Sequence, residues 1–286
     1  MKYLIAVLLM SSVVYAAESA NLAPRPTLDI PRALTLPLVT AAADDPAWTN
    51  AAVIPALQPA YNHRLAKHDG RPTTMPSNEP ASTPATSTPA TSTPATSTPA
   101  TSVRILWTPE ALYLRCVAFD DDVYTPENQR DSDLYKGDVF EVFLDPVGDG
   151  RVLFEVGAAP NGAVYDTVTL VTGNPVPGET LALDWDFVNR EVWFDRNWNL
   201  DGLRSAASRT TDGWIIDVVL PAKGLQRRTG GDTFAPEQLI RANVLRYDYP
   251  KGPDGKREHL PLDWAPTLAG CPHISAAALG TFRLLP

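Results

Sequence analysis

The sequence predicts an all-β protein, an antiparallel β-sandwich of the jelly-roll kind. Many short stretches rich in β-branched and aromatic residues are separated by turns rich in Gly and Pro. No long apolar stripe with the helical period occurs, and only Pro221–Leu225 indicates a short helical turn. Short strands without alternating helices are typical of antiparallel sandwiches rather than parallel βαβ folds.

The predicted strands run from residue 103 to the end of the chain. The first two form a hairpin around Thr108-Pro109-Glu110. Turns such as Asn161-Gly162 and Asp212-Gly213 separate the later ones. The predicted strands are Val103–Trp107, Ala111–Phe119, Asp138–Leu144, Val152–Val156, Ala163–Val171, Trp214–Leu220, Ile240–Tyr247 and Leu279–Leu285.

A low-complexity stretch covers residues 72–102. The unit Thr83-Pro-Ala-Thr-Ser87 occurs four times in tandem up to Ser102. Its prolines remove backbone donors, and it has no large apolar side chain to bury, which predicts a flexible extended segment. Residues 28–62, before it, are too few for an independent domain. We therefore interpret 72–102 as an insertion in a single domain over 30–286, after a lead-in at 17–29; a linker between two domains is the alternative.

Residues 1–16 have the pattern of a cleaved signal peptide. Lys2 precedes the apolar run Leu4–Val14, and small side chains before Ala17 suit a cleavage site. The apolar run is too short for a membrane anchor, and no later stretch reaches that length. We expect an exported, soluble protein, either periplasmic or extracellular.

Charge and cysteine content limit the partners. The formal net charge of −9 disfavours nucleic acid and anionic membranes but not neutral ligands such as sugars. The cysteines, Cys116 and Cys271, either form one disulfide or are two buried thiols. Their spacing excludes thiolate zinc sites and covalent haem attachment.

Carboxylates are densest between residues 120 and 149. They fit solvated turns, a calcium site or a glycoside-hydrolysing pair, and calcium is the one cofactor that stays open. Glu141 differs because it lies inside a predicted strand, on the opposite face from Phe140 and Val142. The set comprises Asp120, Asp121, Asp122, Asp131, Asp133, Asp138, Glu141, Asp145 and Asp149.

Catalytic motifs are absent from the sequence. It has no Gly-x-Ser-x-Gly elbow, no His-Glu-x-x-His zinc spacing and no Gly-rich phosphate loop. Seven Trp, nine Tyr and eight Phe provide enough aromatic side chains for a core and for stacking on a ligand. We therefore expect ligand binding rather than catalysis and predict no catalytic residue.

Several segments in order resemble the family 9 carbohydrate-binding modules, a branch of the DOMON-like sandwiches. The resemblance extends from about residue 30 to the end of the chain. The matching segments are Asp44-Asp-Pro-Ala-Trp48, Val103-Arg-Ile-Leu-Trp107, Leu112-Tyr-Leu114, Gly137-Asp-Val-Phe-Glu-Val-Phe-Leu-Asp145, Ala159-Pro-Asn-Gly162, Asp212-Gly-Trp214, Asn243 with Arg246, Asp263-Trp264 and Leu279-Gly-Thr-Phe282.

The resemblance implies a non-catalytic site for poly- or oligosaccharides, with chain ends as one target. Tyr135 matches the aromatic wall and Glu141 the hydrogen-bonding carboxylate of such a site. Two departures are that Glu155 and Gly157 replace an Arg and an Asn, and that His273 stands nearest to a missing second Trp. The full set of expected carbohydrate-binding residues is Tyr135, Glu141, Glu155, Arg246, Trp264 and His273.

The sequence leaves three alternatives to sugar binding open. A glycan-acting enzyme would use carboxylates among Asp138, Glu141 and Glu155 for acid and base chemistry. A haem-binding module would need Met and His axial ligands, and Met75 is the only methionine beyond the signal peptide. A DOMON-like scaffold could instead serve protein partners without binding sugar.

Overall fold

The computed structural model describes residues 25–60, 100–172, 191–265, 267, 272–274 and 279–286. The signal peptide, most of the low-complexity stretch, Met75 and Cys271 lie outside these ranges. The predictions about them, including the disulfide, stay predictions.

The described residues form fourteen strands and few helical turns. Among the described residues one α-helical turn occurs, α1 (Ala222–Leu225), and short 3₁₀ turns occupy Pro46–Asn50, Leu134–Lys136 and Pro272–Ile274. The strands are β1 (Thr27–Ile30), β2 (Ala52–Ile54), β3 (Gln58–Pro59), β4 (Thr101–Trp107), β5 (Ala111–Phe119), β6 (Val139–Asp145), β7 (Val152–Ala158), β8 (Val164–Thr172), β9 (Glu191–Asp195), β10 (Arg204–Thr210), β11 (Gly213–Pro221), β12 (Leu239–Asp248), β13 (Leu260–Asp263) and β14 (Gly280–Leu284).

The strands form two sheets. The larger sheet has the order β1-β14-β12-β6-β7-β8-β9, with β13 pairing with both β12 and β3. The smaller sheet has the order β10-β11-β5-β4-β2. The pairing of β1 with β14 is parallel, and the other strand pairs of the described chain are antiparallel. The predicted antiparallel sandwich is confirmed.

The main core lies between the two sheets. Alternation along β6 directs Phe140, Val142 and Leu144 inward, where they pack with side chains such as Trp107 and Trp214 of the smaller sheet. Each of these aliphatic or aromatic side chains contributes about 1.5–3 kcal/mol by leaving water. Because this inner face fills the core, the opposite face of the larger sheet can carry polar groups.

The strands that the sequence did not predict lie mostly at edges or contain proline. β3 and β13 contain Pro59 and Pro261, which lack a backbone donor and weaken a strand pattern. β10 is an edge strand with a largely polar sequence and no alternating apolar residues. The helical turn expected at Pro221–Leu225 is present as α1. Within the described residues no helix has the length and apolar character needed to cross a membrane.

Residues on both sides of the low-complexity stretch join the same two sheets. β2 pairs with β4 in the smaller sheet, and β3 pairs with β13 in the larger one. The segment before the repeat also has its own buried anchor, Trp48, on the 3₁₀ turn Pro46–Asn50. These contacts place residues 46–59 in the sandwich together with the strands after residue 100.

Candidate binding site

The outer face of the larger sheet carries a group of polar side chains on adjacent strands. Glu141 on β6 lies opposite Gly157 of β7, and Gly157 lies opposite Tyr165 of β8. Because side chains alternate along a strand, Glu141, Glu155 and Tyr165 share the face opposite to the main core. The expectation that Glu141 lies on the face of Val139 and Phe143 is confirmed.

A cavity of about 550 Å³ opens over these strands. Its aromatic lining consists of Tyr135, Tyr165, Phe194, Tyr247 and Tyr249. Its carboxyl groups belong to Asp131, Glu141, Glu155 and Asp166. Ser132, Thr167, Arg196, His259 and His273 complete the lining. The volume lies in the range of pockets that hold small ligands.

Tyr165 lies across the cavity floor because β7 has a glycine beneath it. A Cβ atom at Gly157 would lie 2.1 Å from Cε1 of the Tyr165 ring, which is far inside van der Waals contact. A glycine at this position therefore lets the ring lie against the sheet. In this orientation the phenol reaches the carboxyl groups of both neighbouring glutamates.

Glu141, Tyr165 and Glu155 form a hydrogen-bonded group that we name the carboxyl–tyrosine chain. The Tyr165 hydroxyl lies 2.5 Å from Oε1 of Glu141 and also bonds to Oε1 of Glu155. A phenol has one proton to donate, whereas two ionised carboxylates would both require one. One carboxyl of the chain must therefore hold a proton to satisfy both bonds.

Burial determines which groups of the chain hold protons. Loss of water, followed by repulsion from Glu155, raises the pKa of Glu141 to about 8. Burial and the two glutamates raise the pKa of the Tyr165 phenol well above its usual value of 10.0. Tyr165 is therefore a neutral hydrogen-bonding group and not a phenolate nucleophile.

His273 extends this chain toward the cavity. Its Nε2 atom lies 2.6 Å from Oε2 of Glu155, and the Glu155 and His273 side chains are 7% and 13% exposed. The edges of Phe143 and Phe194 pack against the imidazole, with ring centroids 5.1 Å and 4.9 Å away. Glu155 and His273 therefore present a fixed polar pair to a ligand.

The cavity rim contains a more exposed aromatic residue. Tyr135, on the 3₁₀ turn Leu134–Lys136, is 39% exposed. Its carbonyl accepts a 2.6 Å hydrogen bond from the hydroxyl of Tyr249. His259 packs between Tyr247 and Tyr249, at centroid distances of 4.6 Å and 5.1 Å. These ring contacts hold Tyr247, Tyr249 and His259 together as a second aromatic wall.

The structure brings four of the six expected site residues together. Tyr135, Glu141, Glu155 and His273 all line the cavity. Arg246 does not, because it lies on the inner face of β12, between the outward-facing Leu245 and Tyr247. The Arg246 guanidinium is fully buried and bonds to Asp120 at 3.0 Å and to Asp248 at 2.7 Å. The expectation that Arg246 lines the ligand site is therefore corrected: Arg246 forms a buried ion pair that has a structural role.

Trp264 is also placed away from the cavity. Its ring packs on Phe282 at a centroid distance of 5.1 Å. A Cβ atom at Gly280 would lie 2.6 Å from Cζ3 of this ring, so the tryptophan covers a glycine of β14. Its role is core packing in this structure, which corrects the expectation that it lines the site.

Several lining residues were not predicted from the sequence. Tyr247 follows Arg246 directly, and the alternation of β12 indicates that only one of the two can face the cavity. Tyr165 is in the predicted strand Ala163–Val171, but its approach to Gly157 depends on the strand register. Arg196 and His259 lie outside the predicted strands, where the sequence pattern carried no positional signal.

The other carboxylates of the 120–149 region are divided among turns and the core. Asp138 does not line the cavity, and its two oxygens accept backbone N–H groups, from Tyr124 and Tyr249. Carboxylate oxygens of Asp120, Asp138 and Asp248 lie within 4.8 Å of one another and could hold a metal ion. Arg246 already bonds to two of these groups, and calcium at this position stays a prediction.

These observations define a class of protein. A preformed cavity with aromatic walls and a few converging polar groups, built on the strands of a β-sandwich, is typical of a small-ligand binding domain. The chain belongs to the family described as carbohydrate family 9 binding domain-like, whose model matches residues 69–259. The family resemblance of the sequence is thereby confirmed. No curated protein matches the chain.

Solved structures share this fold at low sequence identity. A family 9 carbohydrate-binding module from Caldicellulosiruptor kristjanssonii in complex with cellotriose is 10% identical, with a TM-score of 0.55, over 91% of this chain and 94% of that one. The same organism's module with glucose is 11% identical, with a TM-score of 0.52, over 90% and 95%. A candidate carbohydrate-binding protein from Bacteroides uniformis is 12% identical, with a TM-score of 0.57, over 91% and 100%.

Proposed function

We propose that this protein is an exported, non-catalytic carbohydrate-binding protein that holds an oligosaccharide, or the end of a polysaccharide chain, in the cavity over β6, β7, β8 and β12. The observation that carries the proposal is the meeting of aromatic walls with the Glu155–His273 pair on one rigid sheet face. The family and the sugar-bound modules from Caldicellulosiruptor kristjanssonii support it.

The chemistry of the cavity suits a sugar ring. The C–H faces of a sugar ring are apolar and can stack on aromatic side chains, whereas the hydroxyl groups of the sugar require hydrogen-bond partners. Tyr135 is the exposed stacking surface at the rim, and Glu155 with His273 supplies an acceptor and a ring nitrogen deeper in the cavity. Because Glu155 lies on a paired strand and the His273 imidazole packs against two phenylalanine rings, these two side chains lose little entropy on binding.

Titration calorimetry tests the proposal. Residues 17–286, the mature form that the sequence predicts, are titrated with cello- and xylo-oligosaccharides, each with its reducing end intact or reduced to the alditol. We expect saturable binding that Tyr135→Ala and Glu155→Ala each weaken at least about tenfold, the equivalent of about 1.4 kcal/mol. A weaker response to the alditols would indicate that the chain end is recognised.

A matched control separates the cavity from general surface effects. Trp193 on β9 is a large aromatic residue, 61% exposed, that does not line the cavity. Trp193→Ala should bind like the wild type. Equal losses in Tyr135→Ala and Trp193→Ala, or no binding by folded wild-type protein, would contradict the proposed site.

A glycan-acting enzyme is the second candidate, and one observation favours it. Glu141 and Glu155 share the Tyr165 hydroxyl, so two carboxyl groups of different protonation state lie close together. Asp138 is not available to assist them, because it lies outside the cavity. Turnover of chromogenic glycosides by the wild type, abolished in Glu155→Gln, would replace the non-catalytic proposal.

Export is tested separately. In a host with a general secretion pathway, the full-length chain should yield a periplasmic or extracellular product whose N-terminus, measured by mass spectrometry, is Ala17. Retention of Met1 on the exported form, or accumulation in the cytoplasm only, would argue against the signal peptide.

A further inference from the structure

Within the proposed site, Glu141 lines the cavity but is less exposed than Glu155 and His273. It is 1% exposed, and its Oε2 atom is buried with no hydrogen-bond partner among the described residues. Glu155 and His273 are closer to the cavity opening. Glu141 can therefore influence a ligand chiefly through the atoms above it, and the path to them runs through the Tyr165 hydroxyl.

We propose that Glu141 is a positioning residue: it acts through Tyr165 to hold Glu155 and His273 in the ligand-binding geometry, so ligand binding requires one proton on the carboxyl–tyrosine chain. This inference rests on the proposed sugar-binding function and adds a proton to it. The proton is the one demanded by two carboxyl oxygens on a single phenol.

The direction of the hydrogen bonds follows from the proton count. A protonated Glu141 donates to the Tyr165 hydroxyl, the hydroxyl donates to Oε1 of Glu155, and Nε2 of His273 donates to Oε2 of Glu155. In this arrangement Glu155 accepts one hydrogen bond on each of its oxygens. Removal of the proton from Glu141 leaves the phenol with two carboxylates and one hydrogen, so one of these bonds breaks.

The groups that surround Glu141 determine how strongly it holds this proton. Glu155 on β7 repels its charged form, while the Tyr165 hydroxyl and His273 favour that form. Burial, followed by repulsion from Glu141, raises the pKa of Tyr249, just beyond the end of β12, to about 12. The other charged groups of the lining have ion-pair partners of their own. Asp131 and Asp166 both pair with Arg130, and Arg196 pairs with Asp133 at 2.9 Å.

Loss of the proton from the carboxyl–tyrosine chain should therefore weaken ligand binding in alkaline solution. Burial raises the pKa of Glu141 to about 8, so the carboxyl–tyrosine chain holds its proton at pH 7 and has largely lost it at pH 9. If only the protonated chain binds, the apparent Kd rises about tenfold between these two pH values, following the one-proton titration.

The experiment compares wild type, Glu141→Gln and Glu141→Ala by calorimetric titration with a cello-oligosaccharide at pH 7 and pH 9. Glutamine mimics the protonated acid, because its amide can donate to Tyr165 and cannot ionise at these pH values. We expect Glu141→Gln to bind at both pH values with the wild-type affinity at pH 7. Glu141→Ala should lose binding at both, and Glu110→Gln, an exposed control on the β4–β5 turn, should follow the wild type.

A second readout counts the proton directly. Titrations at pH 9 in two buffers of different ionisation enthalpy should show nearly one proton taken up per ligand by the wild type and none by Glu141→Gln. An equal alkaline loss in wild type and Glu141→Gln would overturn the inference. So would a folded Glu141→Gln that fails to bind at pH 7, since Glu141 would then act as a carboxylate. No binding by the wild type at either pH would instead overturn the proposed function itself.

Discussion

Replacing Glu141 with glutamine should change how the stability of the protein depends on pH, whether or not a ligand is present. Burial raises the pKa of this carboxyl from 4.5 to about 8 in the folded state. Between these values the folded chain keeps a proton that the unfolded chain has released. The free energy of unfolding therefore falls as pH rises through this window, and the loss is complete above pH 8.

The magnitude follows from the size of the pKa shift. The window between the two pKa values covers about three pH units above pH 5, and each contributes about 1.4 kcal/mol, so the wild type loses about 4 kcal/mol of stability between pH 5 and pH 9. Glutamine has no proton to release and keeps the bond to Tyr165. The difference in stability between Glu141→Gln and wild type should therefore move by about this amount in favour of the variant.

Urea unfolding at pH 5 and pH 9, followed by tryptophan fluorescence and far-ultraviolet circular dichroism, measures this difference. Comparing variant with wild type cancels the contributions of the titrating groups that do not interact with Glu141. Asp138 supplies a positive control, because burial also raises its pKa to about 8, so Asp138→Asn should move stability in the same sense. Parallel pH dependences in Glu141→Gln and wild type would refute the reasoning that the buried carboxyl is neutral at pH 7.

Three further substitutions or labels test other parts of the structure. Gly157→Ala should displace the Tyr165 ring, lower stability by about 1–3 kcal/mol in thermal unfolding and weaken sugar binding in calorimetry. Gly231→Ala is the control and should change neither stability nor binding, because no atom lies nearer than 3.9 Å to its new Cβ. Arg246→Met should lower the free energy of unfolding in urea by about 3–5 kcal/mol by leaving two buried carboxylates unpaired, yet the folded variant should still bind sugar. The exposed ion pair of Arg283 with Asp29 is the control, and Arg283→Met should leave stability nearly unchanged. After reduction, Cys116 should resist alkylation at pH 8 until the protein unfolds, because burial raises its pKa to about 12; peptide-resolved mass spectrometry would show equal native and unfolded rates if this is wrong.

Strands β6, β7, β8 and β12 of the larger sheet and the hairpin β4–β5 were predictable because apolar residues recur along them. Glu141 shows what the alternation can predict. Phe140 and Val142 lie on one face of the strand, which is enough to assign the side chain of Glu141 to the other face. Arg246 illustrates the limit. The same alternation puts Tyr247, its neighbour, into the cavity, but the sequence does not state which face of β12 looks outward until the pairing with β6 is known.

Contacts between distant segments explain the rest of what the sequence missed. The position of Tyr165 depends on its register with Gly157, and the placement of His273 beside Glu155 joins residues 118 positions apart. The His259 contacts with Tyr247 and Tyr249 likewise require a loop to fold back on β12. No local periodicity in the sequence encodes such contacts. The packing of Gly157 against the Tyr165 ring can be recognised in the sequence only once the register of β7 with β8 is known.

The alternation of the strands under the cavity also bears on how such a protein can evolve. On β7 and β8, residues that hold the two sheets together and residues that face a ligand occupy successive positions of the same segment. A substitution at Glu155 or Thr167 alters the ligand face without changing a side chain of the main core. New specificities are therefore accessible by single steps that leave the main core intact, and the same backbone can serve different ligands in different descendants.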